Sequence, residues 1–160
     1  GVLPGVWRAQ RGVPVVNGLR FEVVGLPGAQ GSKRHVGRGV MVESSKKVAP
    51  WREAVAYAAR TAHHGHQPLD GPLSLEVVFR LPATSSWKAA DRVRGWRWKD
   101  RTPDLDKLLR STGDALTQAG VIADDARIVA LSACKIETAG WTGAQIVVRE
   151  HPVFDTEPSA

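Results

Sequence analysis

One stripe of apolar side chains constrains what this chain can fold into more than any other feature. Beyond Pro103, Leu105, Leu108, Leu109, Thr112, Leu116 and Ala119 recur at offsets of 0, 3, 4, 7, 11 and 14 residues, and the run stops at Gly120. That spacing puts all of them on one face of an α-helix, with proline tolerated only ahead of its first turn and glycine supplying the stop. A helix with one apolar face must cover another apolar surface. The residues from Leu73 to Leu81 offer one, because Leu73, Leu75, Val77, Phe79 and Leu81 alternate onto a single face of a strand.

Other segments extend the same plan. Leu19 to Leu26 reads as a first strand stopped by Pro27-Gly28; a Gly-rich basic loop follows, then a short strand from Val40 to Glu43. Ser44-Ser45 and Pro50 prepare a helix over residues 49–64, carried by Trp51, Val55, Ala58, Ala59 and Ala62 and closed by His63-His64-Gly65. Arg127 to Ile136 and Ala144 to Glu150 read as two more strands, joined through Thr138-Ala139-Gly140. Residues 82–103 show no sustained periodicity and are expected to form an exposed loop. The fold class is α+β: one domain over residues 21–150, a mixed β-sheet packed by two main helices. Residues 1–20 read as an N-terminal extension, flexible or foreign to the domain, and residues 151–160 as a flexible tail.

Composition narrows the function. The chain has 160 residues, 42% of them hydrophobic, enough for one buried core without disulfides. Its single Cys134 cannot bridge within the chain, and no Cys/His spacing suits a structural zinc. With no apolar run of membrane-spanning length, a soluble cytoplasmic protein with no membrane partner is expected. The net charge is +6, which suits a polyanionic partner. Its distribution is uneven. Lys33, Arg34, Arg38, Lys46 and Lys47 face one acid, Glu43; Lys88, Arg92, Arg94, Arg97, Lys99 and Arg101 face two, Asp91 and Asp100, with Trp87, Trp96 and Trp98 interleaved. The candidate DNA-binding set is Lys33, Arg34, Arg38, Lys46, Lys47, Lys88, Arg94, Arg97, Lys99 and Arg101. A solvated charged face is the competing explanation.

The chemistry concentrates at the acids bracketing the long helix. Asp104 suits an N-cap and Asp106 the first turn, where orphan N–H groups favour carboxylates, and Asp106 can pair with Arg110 one turn later. Capping does not account for Asp124-Asp125, which follow Val121-Ile122 where the chain returns to the sheet. If three or four of these carboxylates converge, they repel one another, and a cation relieves the repulsion. Mg2+, with Mn2+ as a second choice, prefers oxygen ligands and bridges to phosphate oxygens, so metal-assisted hydrolysis of a phosphodiester is the chemistry suggested.

The run Pro103-Asp104-Leu105-Asp106-Lys107-Leu108-Leu109-Arg110, then Asp114-Ala115-Leu116-Thr117, then Ala119-Gly120-Val121-Ile122-Ala123-Asp124-Asp125, resembles the signature of RusA-type Holliday junction resolvases. Gly25-Leu26-Pro27 with Gly31-Ser32-Lys33-Arg34 looks like the start of the same family, and Lys135 sits where members often carry a strand lysine; the likeness covers roughly residues 21–149. It implies that Asp104, Asp106 and Asp125 are metal-binding acids with Asp124 beside them. It also implies a catalytic lysine one turn after the second acid, where this chain has Arg110. Arginine stabilises charge but does not surrender a proton, so Lys107 and Lys135 are substitute candidates. The family further implies a Mg2+-dependent endonuclease in a bacterial or phage-infected cell. It would be a homodimer whose two-fold symmetry matches paired nicks in a four-way DNA junction. Two other readings stand beside this one: a non-catalytic DNA-binding module and a metal-dependent nucleotide phosphohydrolase.

Other conspicuous residues have plainer explanations. His63, His64 and His66 are expected in solvent at a helix C-terminus, complementing its dipole. Cys134 reads as a small buried strand residue and Trp51 as core. The tryptophans at 87, 96 and 98 suit either base stacking or packing of the loop.

Overall fold

The apolar stripe after Pro103 becomes the helix Leu105–Gln118 in the computed structural model, which describes residues 17–31, 33–35, 37–38, 41–43 and 46–160. Residues 1–16 of the expected extension, Ser32, Val40 and Ser44-Ser45 lie outside the described residues, as do the side chains of Lys33 and Arg34. In chain order the elements are β1 (Gly18–Val24), β2 (Lys33–His35), β3 (Met41–Glu43), α1 (Val48–His63), β4 (Leu73–Pro82), α2 (Ala89–Arg94), β5 (Trp96–Trp98), α3 (Leu105–Gln118), a 3-10 turn (Asp125–Arg127), β6 (Ile128–Thr138) and β7 (Gly143–Glu150). The fold is α+β, and β1 begins inside the segment expected as an extension.

Five strands form a mixed sheet in the order β1-β7-β4-β6-β5, and β2 pairs with β3 as a separate hairpin. Only β4 and β6 run parallel, in a sheet otherwise antiparallel. A parallel pair needs a long crossover, and here the crossover carries α2, β5 and α3. It returns at the start of β4, where the Leu69 N–H donates to the Val121 carbonyl at 2.8 Å and the Ala123 N–H to the Leu69 carbonyl at 2.9 Å. The helix therefore starts near the C-terminal end of β4 and finishes near its beginning.

The core lies between one sheet face and the two long helices. Leu73, Leu75, Val77 and Phe79 of β4 meet Trp51, Val55 and Ala59 of α1 and Leu108, Ala115 and Leu116 of α3, all buried. The Trp51 indole N–H donates to the Thr112 hydroxyl at 3.3 Å, tying the helices together. Gly28 is required where the loop after β1 squeezes past the start of α1: a Cβ there would lie 2.3 Å from the Lys47 carbonyl oxygen. The tail after Glu150 has no regular structure. Among the described residues no helix is long and apolar enough to cross a membrane.

The region 82–103 corrects the expectation of an irregular exposed loop. It holds α2, with no buried residue, and β5, which extends the sheet by pairing with Ile136–Thr138 of β6. What secures it is a buried charge rather than an apolar stripe. Glu137, 2% exposed, accepts from Arg97 Nε at 2.5 Å, and its other oxygen lies 3.7 Å from Lys99 Nζ. Arg97 also donates to the Thr84 and Ser86 hydroxyls at 3.0 and 2.8 Å. Burial pushes the Glu137 carboxyl up, but the bonds from Arg97 and Thr84 and the charge of Lys99 outweigh it and hold the group below its ordinary range. A depressed carboxylate stabilises the fold above its unfolded pKa and loses that contribution as pH falls through the folded value. Glu137→Gln should therefore destabilise the protein by about 2 kcal/mol at neutral pH. The gap to the parent should narrow below the ordinary value of 4.5, as a pH series of thermal melts would read.

Two smaller expectations also change. His63 is buried, 8% exposed, and stacks edge-on with His66 at 6.0 Å between ring centroids; only His64 and His66 are exposed, with His64 as the left-handed helix cap at φ 55°. Among the three loop tryptophans, Trp87 is buried at 6% exposure and Trp98 is 49% exposed, its ring set at a right angle to that of Trp96. Trp51 is core and Cys134 half-buried, with burial pushing its thiol up.

Candidate active site

The first turn of α3 is where the two acids nearest its start are presented. Asp104 occupies the N-cap position in extended geometry, and its backbone carbonyl takes the Leu108 N–H at 3.1 Å. Its side chain makes no cap hydrogen bond, although an aspartate there normally would. Instead one carboxylate oxygen points within 3.6 Å of Lys107 Nζ. Asp106, one residue into the helix, is exposed and enters no ion pair among the described residues. Helix capping thus does not occupy either carboxylate.

The chain leading into this turn is clamped from two sides. Lys135, on β6, donates to the Arg101 carbonyl at 2.7 Å and the Pro103 carbonyl at 2.5 Å, and the Lys99 N–H donates to the Lys135 carbonyl at 3.1 Å. From the opposite side the loop after β1 lies along α3: the Ser111 hydroxyl donates to the Gly28 carbonyl at 2.6 Å and the Gln30 N–H to the Lys107 carbonyl at 3.1 Å. Lys135 satisfies two backbone oxygens immediately before Asp104. Removing it should loosen that turn, so Lys135→Met is expected to lower the melting temperature and slow any reaction at Asp104 by about tenfold, with partial rescue by Lys135→Arg, whose fork can still reach carbonyls.

The second pair of acids meets α3 further along. A Cβ built on Gly113 would lie 3.8 Å from the Asp125 side chain, and Gly113 stands two turns, roughly 10 Å, beyond Asp106 on the same face. Asp124 caps the 3-10 turn, accepting the Ala126 N–H at 2.7 Å. That bond, the neighbouring Asp125 carboxyl and the charge of Arg127 hold Asp124 below the ordinary carboxylate range. Asp125 moves the other way: Asp124 beside it, partial burial and the charge of Asp114 push its carboxyl up. Asp114 was visible in the sequence, eight residues after Asp106, but its nearness to Asp125 depends on the chain returning after α3.

Arg110 stands on this face between the two groups of acids, exposed, one turn after Asp106. The Asp106–Arg110 ion pair that the helix spacing allows is not formed among the described residues. Nor do three or four carboxylates converge: no three His, Cys, Asp or Glu side chains among the described residues lie close enough together to hold a metal ion. The acids are instead strung along α3, Asp104 and Asp106 at its start and Asp125 and Asp114 near its middle. The donor set still suits a hard divalent cation, because Mg2+ is held by one or two carboxylates and keeps waters or phosphate oxygens at its other positions.

Three of the basic residues are held in ion pairs of the α2–β5 segment. Arg94 pairs with Asp91 at 2.6 Å, Arg97 with Glu137 and Asp91, and Lys99 with Glu137, so these three reinforce the α2–β5 segment. Arg38, Lys46, Lys47, Lys88 and Arg101 are exposed. Glu137, which organises this segment, was not singled out from the sequence, where it falls between the strand expected to end at Ile136 and the turn Thr138-Ala139-Gly140.

Comparison with known proteins places this arrangement. The family model described as Endodeoxyribonuclease RusA matches residues 25–149, which contain all the acids above and both clamps on the start of α3. A crossover junction endodeoxyribonuclease rusA of Lactococcus phage r1t is 35% identical over 60 residues, 38% of this chain and 46% of that protein. The aligned part therefore spans less than half of that relative. With most of its length matched by the family model, the chain belongs to the RusA endodeoxyribonuclease family.

Proposed function

We propose that this protein is a Mg2+-dependent endonuclease that cuts branched DNA, acting as a homodimer that nicks a four-way junction symmetrically. The observation that carries the reading is the pair Asp104 and Asp106. Neither is used to cap the helix, and both are presented to solvent on a turn that Lys135 clamps, within the matched region. The phage relative's name, a crossover junction endodeoxyribonuclease, supports the substrate class.

Asp104 and Asp106 would hold the cation; Asp125 and Asp124, roughly 10 Å further along α3, would add oxygens only if the metal draws the two groups of acids together. When bound, Mg2+ supplies positive charge at the scissile phosphate and makes a water a better nucleophile. The chain's own residues do the rest. Lys135 fixes the backbone ahead of Asp104, so the two carboxylates meet the phosphate in one geometry. Arg110 stands between the acids as a permanent cation able to stabilise the charge that builds on the phosphoryl oxygens. Exposed Lys46, Lys47, Lys88 and Arg101 bear on the phosphate backbone, which positions the DNA without reading its sequence.

Dimerisation is supported by an edge. β5 covers only Ile136–Thr138 of β6, so among the described residues the strand from Ile128 to Cys134 pairs on one side alone, and Val129 and Leu131 there are 59% and 54% exposed. An open edge with exposed apolar residues favours pairing with a second copy. Light scattering should give twice the monomer mass, and Leu131→Lys should shift the protein toward monomer.

Incubating a labelled synthetic four-way junction, and a linear duplex of the same sequence, with and without Mg2+ tests the function. Selective, Mg2+-dependent cutting of the junction is expected. Binding without cutting would favour a DNA-binding module, and phosphate release from free nucleotides alone would favour a nucleotide phosphohydrolase.

A further inference from the structure

A groove of about 500 Å3 opens beside the start of α3, between the loop after β1, the end of β4 and the segment that leads to Asp104. Its walls are mostly apolar and stiff: Pro27, Leu81, Pro82 and Pro103. Three lysines, Lys46, Lys47 and Lys99, also line it, and among the described residues no carboxylate does. Lys99 is held in place by Glu137, which Arg97 already neutralises, so the lysine charge stays in surplus. An apolar slot with lysines along its rim suits a flat heterocycle carrying phosphate. The volume is within the range of small-ligand sites.

We propose that this groove receives a single nucleotide of the strand being cut, turned out of the base stack at the branch point, and so sets the base preference at the cut. The proposal rests on the junction-nuclease reading. The groove's wall at Pro103 is the residue immediately before Asp104, so a nucleotide seated there is a neighbour of the phosphate that the acids address. The base packs against the prolines and Leu81, and its phosphate meets Lys46, Lys47 and Lys99. A strand nucleotide suits the position better than a free one, because the groove adjoins the exposed acids. Extruding a base is easiest where pairing is already broken, as at a branch point.

The experiment uses the full chain and junctions carrying 2-aminopurine at each nucleotide flanking the branch point, whose fluorescence rises when the base leaves the stack. Binding is read without Mg2+, so the signal does not depend on cutting. One position should brighten on binding, and Ala83→Trp, which fills the groove mouth, should abolish that rise; Lys46→Gln with Lys47→Gln should weaken it. With Mg2+ added, the parent should favour one base beside the cut by at least about fivefold, and Ala83→Trp should reduce this to within about twofold. Brightening that Ala83→Trp abolishes, on a protein that cuts nothing, would retain the groove and remove the nuclease reading. Selective junction cutting with no brightening, or with brightening and base preference unchanged in both variants, would overturn the groove and leave the nuclease reading standing. Binding of a free deoxynucleoside monophosphate without brightening of the junction would likewise overturn it.

Discussion

Asp106→Asn is expected to slow single-turnover junction cleavage by on the order of a thousandfold while leaving junction affinity unchanged or slightly higher. The same is expected of Asp104→Asn and Asp125→Asn. Replacing a carboxylate by its amide keeps size and hydrogen-bonding reach but removes the negative charge that holds a hard cation. It also relieves repulsion of the DNA backbone, so catalysis and binding should move in opposite directions. Stability should barely change for Asp104 and Asp106. Neither caps the helix and Asp106 pairs with nothing among the described residues, while the Asp104–Lys107 contact is long and exposed. Such a pair is worth under about 1 kcal/mol. Asp125 lies furthest from the other two acids along α3, so it is the sharpest case. A variant at Asp125 that cuts at the parental rate would confine the site to the start of the helix.

Arg110→Ala is expected to cost on the order of a hundredfold in the same single-turnover rate, with Arg110→Lys keeping most of it. Among the described residues Arg110 lacks the Asp106 partner that its helix spacing offers. Had it paired with Asp106, alanine would have removed a weak surface ion pair and little rate. No such pair is formed, and an exposed guanidinium between two groups of acids has no evident role in holding the fold together. Its permanent charge suits stabilisation of a phosphoryl group rather than proton transfer. Melts of each variant separate this from a folding defect. A folded alanine variant as fast as the parent would move the role to Lys107, since Lys135 is occupied with two backbone carbonyls.

Much of the architecture was readable because it is written in local periodicity. The stripe from Leu105 to Ala119 and the alternation from Leu73 to Leu81 gave α3 and β4 nearly to the residue, and Trp51, Val55 and Ala59 gave α1. What escaped was held by distant partners. The α2 helix buries no side chain, so it leaves no apolar stripe, and β5 is three residues whose place depends on Glu137 forty residues later. β2, made of Lys33, Arg34 and His35, shows no alternation and exists through pairing with β3. At the site, the motif supplied the acids and their order, but not their spacing in three dimensions. Nothing local says that Lys135 clamps the turn before Asp104, that Asp104 leaves its capping role unfilled, or that Asp114, and not Asp106, joins Asp124 in raising the Asp125 carboxyl.

The most direct test is cleavage of a supercoiled plasmid bearing an extruded cruciform, followed over time with and without Mg2+. A dimer presenting two sites to one junction should cut both strands within the life of a single complex. Linear DNA should then appear directly from the supercoiled form, only when Mg2+ is present and only while the cruciform is extruded. Plasmid left intact in Mg2+, or equal cutting of a plasmid without the cruciform, would contradict the account.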